Sequence, residues 1–481
     1  MAEKLKRDYD LLALKITLDL AVENASLKCE LEVTEDHVPK TVREWTVSAE
    51  DIGFPRELTE SQIYGHATPF RKPDRVVQEL SDILNEQQLL ENPLWLHLVK
   101  PYGFLGAAPW ERWLSSLPIP VLRLPDVIAD PPREAPSTLN VIVCTSSPLA
   151  KEEIMADQYV IRLLRQVLNK HPRSKIHFDV FTDQDRVRHM QSTLNAGELL
   201  GTEVTVHPPE QACSYAVPRR NANVEDPADD LENPWLLWMR NAVKGRSVDM
   251  VHFICHGYFN GDRGALAFAQ SPACNEDARW SRFVGKRELS TFLTQVGAWA
   301  AAFSSPDENY SDAGLRFLAD ALAQDQPGAI LYHDWTADRD GSQVGNAYQF
   351  LFHPQPGIPE HADGLFLYCQ PFRVKGCQNA RPLSYSAKTN RVQEPPGLAE
   401  MFDSVLQKDE NSTDLMATAA RYIERCEWKL NKSAQINLRL GIDAPSKDSV
   451  EVNDALNKIK RAMIRIASRT PGSTGGSGGV L

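Results

Sequence analysis

Between Thr138 and Asp334 the sequence alternates two patterns that one kind of secondary structure cannot satisfy. Short apolar runs recur in "LNVIVCTSS", "KIHFDVFTD", "TEVTVHPP", "VDMVHFICHG", "GAWAAAFSSP" and "GAILYHD". Helical spacing fills the gaps. Lys151 to Lys170 places Ile161, Leu164 and Leu168 at i, i+3 and i+7, and Asp312 to Ala323 places Leu315, Leu318, Ala319 and Leu322 on one stripe. Asp230 to Val243 and Lys286 to Val296 also read as helices. A run that is apolar at every position suits a strand covered on both faces. Strands alternating with helices predict an α/β fold, a mostly parallel sheet flanked by helices.

The flanks read differently. Leu14, Ile16, Leu18 and Leu20 alternate with polar or small residues, and so do Leu27, Cys29, Leu31 and Val33, with Lys28, Glu30 and Glu32 between them. This period of two predicts a hairpin turning near Glu23 to Ser26, with one buried face. It defines a β-rich N-terminal module over residues 1–63. Residues 64–137 hold a helical pattern from Pro73 to Leu90, the stretch "PLWLHLVKPYGFLGAAPWERWL" and a Pro-rich connection. The α/β pattern occupies 138–375. A helical C-terminal region is expected over 376–470, from the stripes Leu415, Ala419, Tyr422, Cys426 and Leu456, Ile459, Met463, Ile466. Residues 471–481, "PGSTGGSGGVL", have the composition of a flexible tail; a processed or conjugated Gly-Gly end is the other reading.

The charge balance narrows the partners. With 52 Lys and Arg against 64 Asp and Glu, the net charge of −12 argues against nucleic-acid binding, which needs a cationic surface. No apolar run approaches 18 residues, and the charged start MAEKLKRDYD has no apolar h-region, so neither a membrane span nor a signal peptide is expected. The eight cysteines show no CxxC or Cys/His zinc spacing. Reduced core thiols and a cytoplasmic location are expected, with no metal and no cofactor.

In open parallel sheets, functional groups gather at the carboxyl ends of the strands. Here those ends carry Cys144 to Ser147, Cys255-His256-Gly257, Ser304-Ser305 and His333-Asp334. A histidine at a strand end could serve as general base to a nucleophile on the next strand. Cys255 is poorly placed for that part, because adjacent strand residues point to opposite faces. Ser304 or Ser305 is better placed. The plainer readings stand beside this one: a histidine that merely ends a core strand, and a Ser305-Pro306-Asp307-Glu308 stretch that merely starts a helix. From spacing alone, a hydrolase and a non-catalytic binding module are equally compatible with the residues. No Gly-rich phosphate loop follows the first strand, which disfavours a nucleotide sensor.

The order of these motifs resembles the CHAT domain, a caspase-like family with the cysteine-peptidase fold. The resemblance rests on "VHFICHGYFNGDRGALAFA" with His256-Gly257 and Gly264-Ala265-Leu266, on Pro109-Trp110-Glu111, and on "GLRFLADALAQDQPGAILYHDW". It spans roughly residues 90–368. It implies a caspase-like sheet and a catalytic dyad of His256 with residue 305. It also implies an oxyanion hole near Gly257, and a P1 pocket for which Asp307 and Asp334 are the acidic candidates. The family has Cys where this sequence has Ser305, or Ser304 if the alignment shifts by one. A hydroxyl is a far weaker nucleophile than a thiolate. Three accounts follow: an engineered Cys-to-Ser replacement, a natural pseudo-peptidase that acts as a signalling or scaffold module, or an active serine. The resemblance implies a protein substrate or partner, a co-encoded one included, in bacterial anti-phage defence or cell death.

Overall fold

The computed structural model describes residues 11–19, 26–35, 38–53, 71–86, 89, 92–100, 102–125, 137–148, 155–196, 204–215, 231–260, 263–273, 281–306, 312–324, 326, 328–355, 357–375 and 377. The helical region and tail expected over 376–470 and 471–481 lie, Cys377 apart, outside them.

The chain opens with strands β1 (Leu12–Asp19), β2 (Ser26–Glu35) and β3 (Val38–Ser48), then helix α1 (Asp74–Glu86) and β4 (Leu94–Val99). A short helix α2 (Trp110–Trp113) and β5 (Val121–Arg123) follow. The α/β part runs β6 (Thr138–Ser146), α3 (Ala156–Lys170), β7 (Lys175–Phe181), α4 (Gln184–Ala196), β8 (Val204–Val206) and α5 (Pro234–Ala242). It continues with β9 (Met250–Asn260), β10 (Arg263–Ala269), β11 (Ser281–Gly285), α6 (Lys286–Val296) and β12 (Ala300–Ser305). Helix α7 (Asp312–Ala323), β13 (Ala329–Asp334), α8 (Ser342–Phe352) and β14 (Leu365–Tyr368) complete it.

One mixed sheet takes in every described strand, in the order β3-β2-β1-β4-β5-β14-β13-β12-β9-β6-β7-β8, with β10 and β11 branching from β9. The α/β fold expected from the repeated apolar runs is present. β6, β7, β8, β9, β12 and β13 are parallel and β14 runs antiparallel to β13. Alternate residues of the central strands enter two cores. Val143, Ile254, Ala302 and Leu331 meet Tyr159 of α3 and Tyr348 of α8 on one face. Cys144, Phe253, Phe303 and Tyr332 meet Trp235 of α5, Leu289 of α6 and Leu315 of α7 on the other. These strands read as continuous apolar runs because both faces are covered.

The N-terminal β pattern also forms, and its register follows the alternation. Leu14 pairs with Leu31, Ile16 with Cys29 and Leu18 with Leu27. These strands extend the main sheet, because β1 runs parallel to β4 with Leu14 opposite Leu96. The seam between this extension and the α/β part is polar and closed. Arg123 of β5 donates to both oxygens of Glu111, at 2.7 and 2.9 Å, and its guanidinium lies 3.9 Å over the Phe366 ring of β14. Asp320 of α7 accepts from Tyr102 and Tyr368, and the Gly106 backbone lies so close that an added Cβ would come within 2.2 Å of its carboxylate. Only glycine allows that approach.

Candidate functional site

The parallel register brings the polar strand ends to one rim, as the carboxyl-end rule requires. Ser146 of β6 is level with Cys255 of β9, Ser304 of β12 with Ile254, and Ser305 with Asp334 of β13. His256, Ser305 and Asp334 therefore sit on three adjacent strands.

Two details differ from expectation. The strand carrying His256 does not end there. It runs on to Asn260 and turns into a hairpin with β10, pairing His256 with Ala267 and Gly257 with Leu266. The Gly264-Ala265-Leu266 segment is the returning strand, and its backbone supplies the partners that keep β9 extended beyond the main sheet. His256 is consequently buried, with 8% of its surface exposed.

The second detail concerns the nucleophile. Ile254 pairs with Ser304, and side chains alternate along each strand, so His256 lies on the face of Ile254 and Ser304. Ser305 belongs to the opposite face, that of Cys255 and Asp334. The β9–β12 pairing ends at Ile254–Ser304; the next residue of the same alternation, Pro306, follows the end of β12 and is buried. Proline has no nucleophilic atom. It also has no N–H, so this position cannot donate to an oxyanion.

The remaining candidates fall as follows. Asp334 accepts from Arg112 at 2.9 Å and from the Thr336 amide and hydroxyl at 2.8 and 2.6 Å. Its carboxylate is engaged within the protein. Asp307 lies outside the described residues. Cys255 is a fully buried strand thiol, on the face opposite His256. No group of three or more His, Cys, Asp or Glu side chains among the described residues could hold a metal ion, and no described helix is long and apolar enough to cross a membrane.

Directly beneath the rim lies a polar chain that the sequence reading passed over. Tyr348 of α8 contacts His252 Nδ1 at 2.9 Å, and His252 Nε2 contacts Ser304 Oγ at 2.7 Å. Ser304 Oγ lies 3.0 Å from His333 Nδ1, and His333 Nε2 lies 3.0 Å from Asp338 Oδ2. Asp338 also accepts from the Val344 amide in the first turn of α8. One assignment satisfies every link with neutral histidines. Tyr348 donates to His252, His252 to Ser304, Ser304 to His333 and His333 to Asp338. Burial, with His333 adding to it, holds His252 well below the usual histidine range. Burial pushes the Asp338 carboxyl up, but the interaction with His333 and the Val344 and Gln343 amides together outweigh it and the net shift is downward. His252, Ser304 and His333 have no exposed surface. An Asp–His–Ser arrangement closed to solvent cannot meet a substrate. The signal for it was in the sequence, since His252 is four residues before His256 and so on the same face of the strand.

A different polar group lies at the other end of the rim. Asp183 follows β7 and starts α4, where its carbonyl accepts the Arg186 and Val187 amides. Its Oδ2 accepts the Ser147 amide at 3.0 Å, while Oδ1 is buried and has no hydrogen-bond partner. Burial, opposed by the Ser147 amide and reinforced by Asp185, pushes the Asp183 carboxyl up to about 7.

No family model and no curated protein matches this chain.

Proposed function

We propose that this chain is a caspase-like protein that no longer cuts peptides, and that its strand-end rim binds a partner protein. One observation carries the reading: the β9–β12 pairing ends at Ile254–Ser304, and the next residue on that side of the chain, Pro306, has neither a nucleophile nor an N–H. Ser304, the hydroxyl on the His256 face, is consumed in the buried chain with His252 and His333. Ser305, where the CHAT resemblance expects a thiolate, belongs to the other face. The CHAT likeness of the His-Gly hairpin supplies the caspase-like part of the proposal, and the net charge of −12 favours protein over nucleic acid as the partner. A role as a signalling or scaffold module in bacterial defence rests on that likeness alone.

The test is a cleavage assay with the full chain and the proteins encoded beside it. Wild type and His256→Ala are expected to leave all of them intact, while one of them is retained in a pull-down by both. Cleavage by wild type that disappears in His256→Ala or Ser305→Ala would overturn the reading. A second arm tests the register itself. Pro306→Cys places a thiol just past the end of β12 on the side of Ser304, and its alkylation rate is expected to depend on His256, whereas that of Ser305→Cys is not.

A further inference from the structure

One surface cleft runs against the overall charge of the chain. Helix α5 ends at Ala242 and α6 at Val296, shortly before β9 and β12 begin. Their last turns therefore lie at the amino ends of these parallel strands, the end of the sheet away from the His256 rim. An open cleft of about 320 Å³ lies there, lined by Arg240, Lys244, Gly245 and Arg246 after α5 and by Gln295 and Val296 of α6. Three of its lining side chains are cationic and none is acidic, in a chain with a net charge of −12. Lys244 and Arg246 are exposed and Arg240 is half-buried. Gly245 reverses the chain between the two exposed cations at a φ of 86°, a conformation that suits glycine.

These cations are not used up inside the protein. Arg240 donates to two neutral oxygens, Gln295 Oε1 at 3.0 Å and Asn241 Oδ1 at 3.2 Å. Arg246 donates one bond to Asp179 at 2.8 Å, and His207 shares that carboxylate oxygen. The Lys244 ammonium has no hydrogen bond or ion pair among the described residues. Asp249, the next carboxylate along the chain, accepts the Asn140 amide at 2.7 Å. Basic residues after a helix can serve its last carbonyls. Here Met239 and Asn241 accept the Val243 and Lys244 amides, and Leu293 and Thr294 accept those of Ala298 and Gly297. The dipoles of two helix ends offset about one positive charge, and Asp179 a second, so the cleft stays cationic.

We propose that this cleft binds a phosphomonoester, carried by a small metabolite or by a phosphorylated side chain. The site is separate from the partner-binding rim and does not depend on that reading. A phosphomonoester has about −1.5 to −2 charges and three terminal oxygens, enough acceptors for more than one cation. Guanidinium forks suit phosphate oxygens in pairs, and an ammonium adds a point charge. A carboxylate or a phosphodiester carries one charge and leaves part of the set uncompensated. The negative net charge also repels a polyanion such as nucleic acid.

The test is titration calorimetry of the full chain at low ionic strength with glycerol 3-phosphate and capped phosphoserine, and with dimethyl phosphate and acetate as monoanionic controls. The monoesters are expected to fill one site with a Kd below about 1 mM, and the controls to bind at least about tenfold more weakly. The tighter monoester identifies the carrier. Lys244→Gln, a surface change, is expected to weaken monoester binding about fivefold. Arg240→Gln is expected to weaken it about tenfold, and Arg240→Lys, which keeps the charge but loses the fork, by less. Lys72→Gln removes the same charge from an exposed position outside the cleft and is expected to leave binding unchanged. Absence of saturable binding by either monoester would overturn the proposal. Equal losses in Lys244→Gln and Lys72→Gln would also overturn it, since they would mark a general effect of charge. Dimethyl phosphate binding as tightly as the monoesters would overturn the assignment to a monoester.

Discussion

Two buried polar regions of this protein lie near the same sheet edge and have opposite characters. In the chain from Tyr348 through His252, Ser304 and His333 to Asp338, every link has a partner, and the chain ends on a carboxylate held below its usual range. At Asp183 one oxygen is left over, and the carboxyl is raised. Both regions are buried, His252, Ser304 and His333 fully and Asp183 to all but 9% of its surface. Completeness separates them. A fully satisfied network rigidifies the strands and helix it joins, here β9, β12, β13 and α8, and has no capacity left for a ligand. A buried group with an unmet bond carries its desolvation cost uncompensated.

If this contrast is right, removing a link from the complete chain should cost most. Asp338→Ala leaves the His333 ring and the Val344 amide without their acceptor in a dry interior. The expected loss is about 3 kcal/mol in urea denaturation. A loss under about 1 kcal/mol would show that the chain is not complete in the way described.

The pH dependence should separate the regions next, because the two shifts have opposite signs. His252 is held below its unfolded value, so the unfolded chain takes up the proton first and stability falls as pH drops below about 6.5. This group contributes at most about 1.4 kcal/mol per pH unit. His252→Gln is expected to flatten that acid limb, measured as the midpoint of denaturation between about pH 5 and 7.

Asp183 works the other way. Its folded value near 7 lies above the unfolded carboxylate value, so the folded state holds the proton longer. Its stabilisation is complete below about pH 4 and is lost as pH rises towards 7. Asp183→Asn is therefore expected to raise stability at pH 8, on the order of 1–2 kcal/mol, and to leave it little changed at pH 4. Lower stability of Asp183→Asn at pH 8 would mean that the carboxylate already has a counter-charge.

The smallest effect should come from the rim bond that water reaches. Arg112 is half exposed where it meets Asp334. Arg112→Ala is expected to cost less than about 1 kcal/mol and to lose its effect in high salt. A large, salt-independent cost would move this pair into the class of the buried chain.

Much of this architecture was legible in the sequence. Runs such as "LNVIVCTSS" and "GAILYHD", apolar on consecutive residues, permit little except strands covered on both sides, and β6 and β13 are such strands. The Leu14, Ile16 and Leu18 alternation marked one face of the first hairpin, whose register then pairs them with Leu31, Cys29 and Leu27. Lys286 to Val296 and Asp312 to Ala323 are helices at the limits their periodicity set. Local spacing could not say whether residues 1–63 stand apart. That depended on β1 finding β4, a pairing between segments far apart in the chain.

The site was legible only in part. Sequence order placed His256, Ser305 and Asp334 on one rim, because parallel strands share a direction. It also separated Cys255 from His256, because neighbours on a strand face apart. The sequence by itself thus determined the α/β alternation, the rim and the residue types on it. Tertiary structure decided which of those residues meet. Sliding one strand against its neighbour by a single residue exchanges every facing pair, and nothing within either strand's own sequence fixes that offset. The observed offset gives Ser304 to His252 and His333 and puts Ser305 level with Asp334.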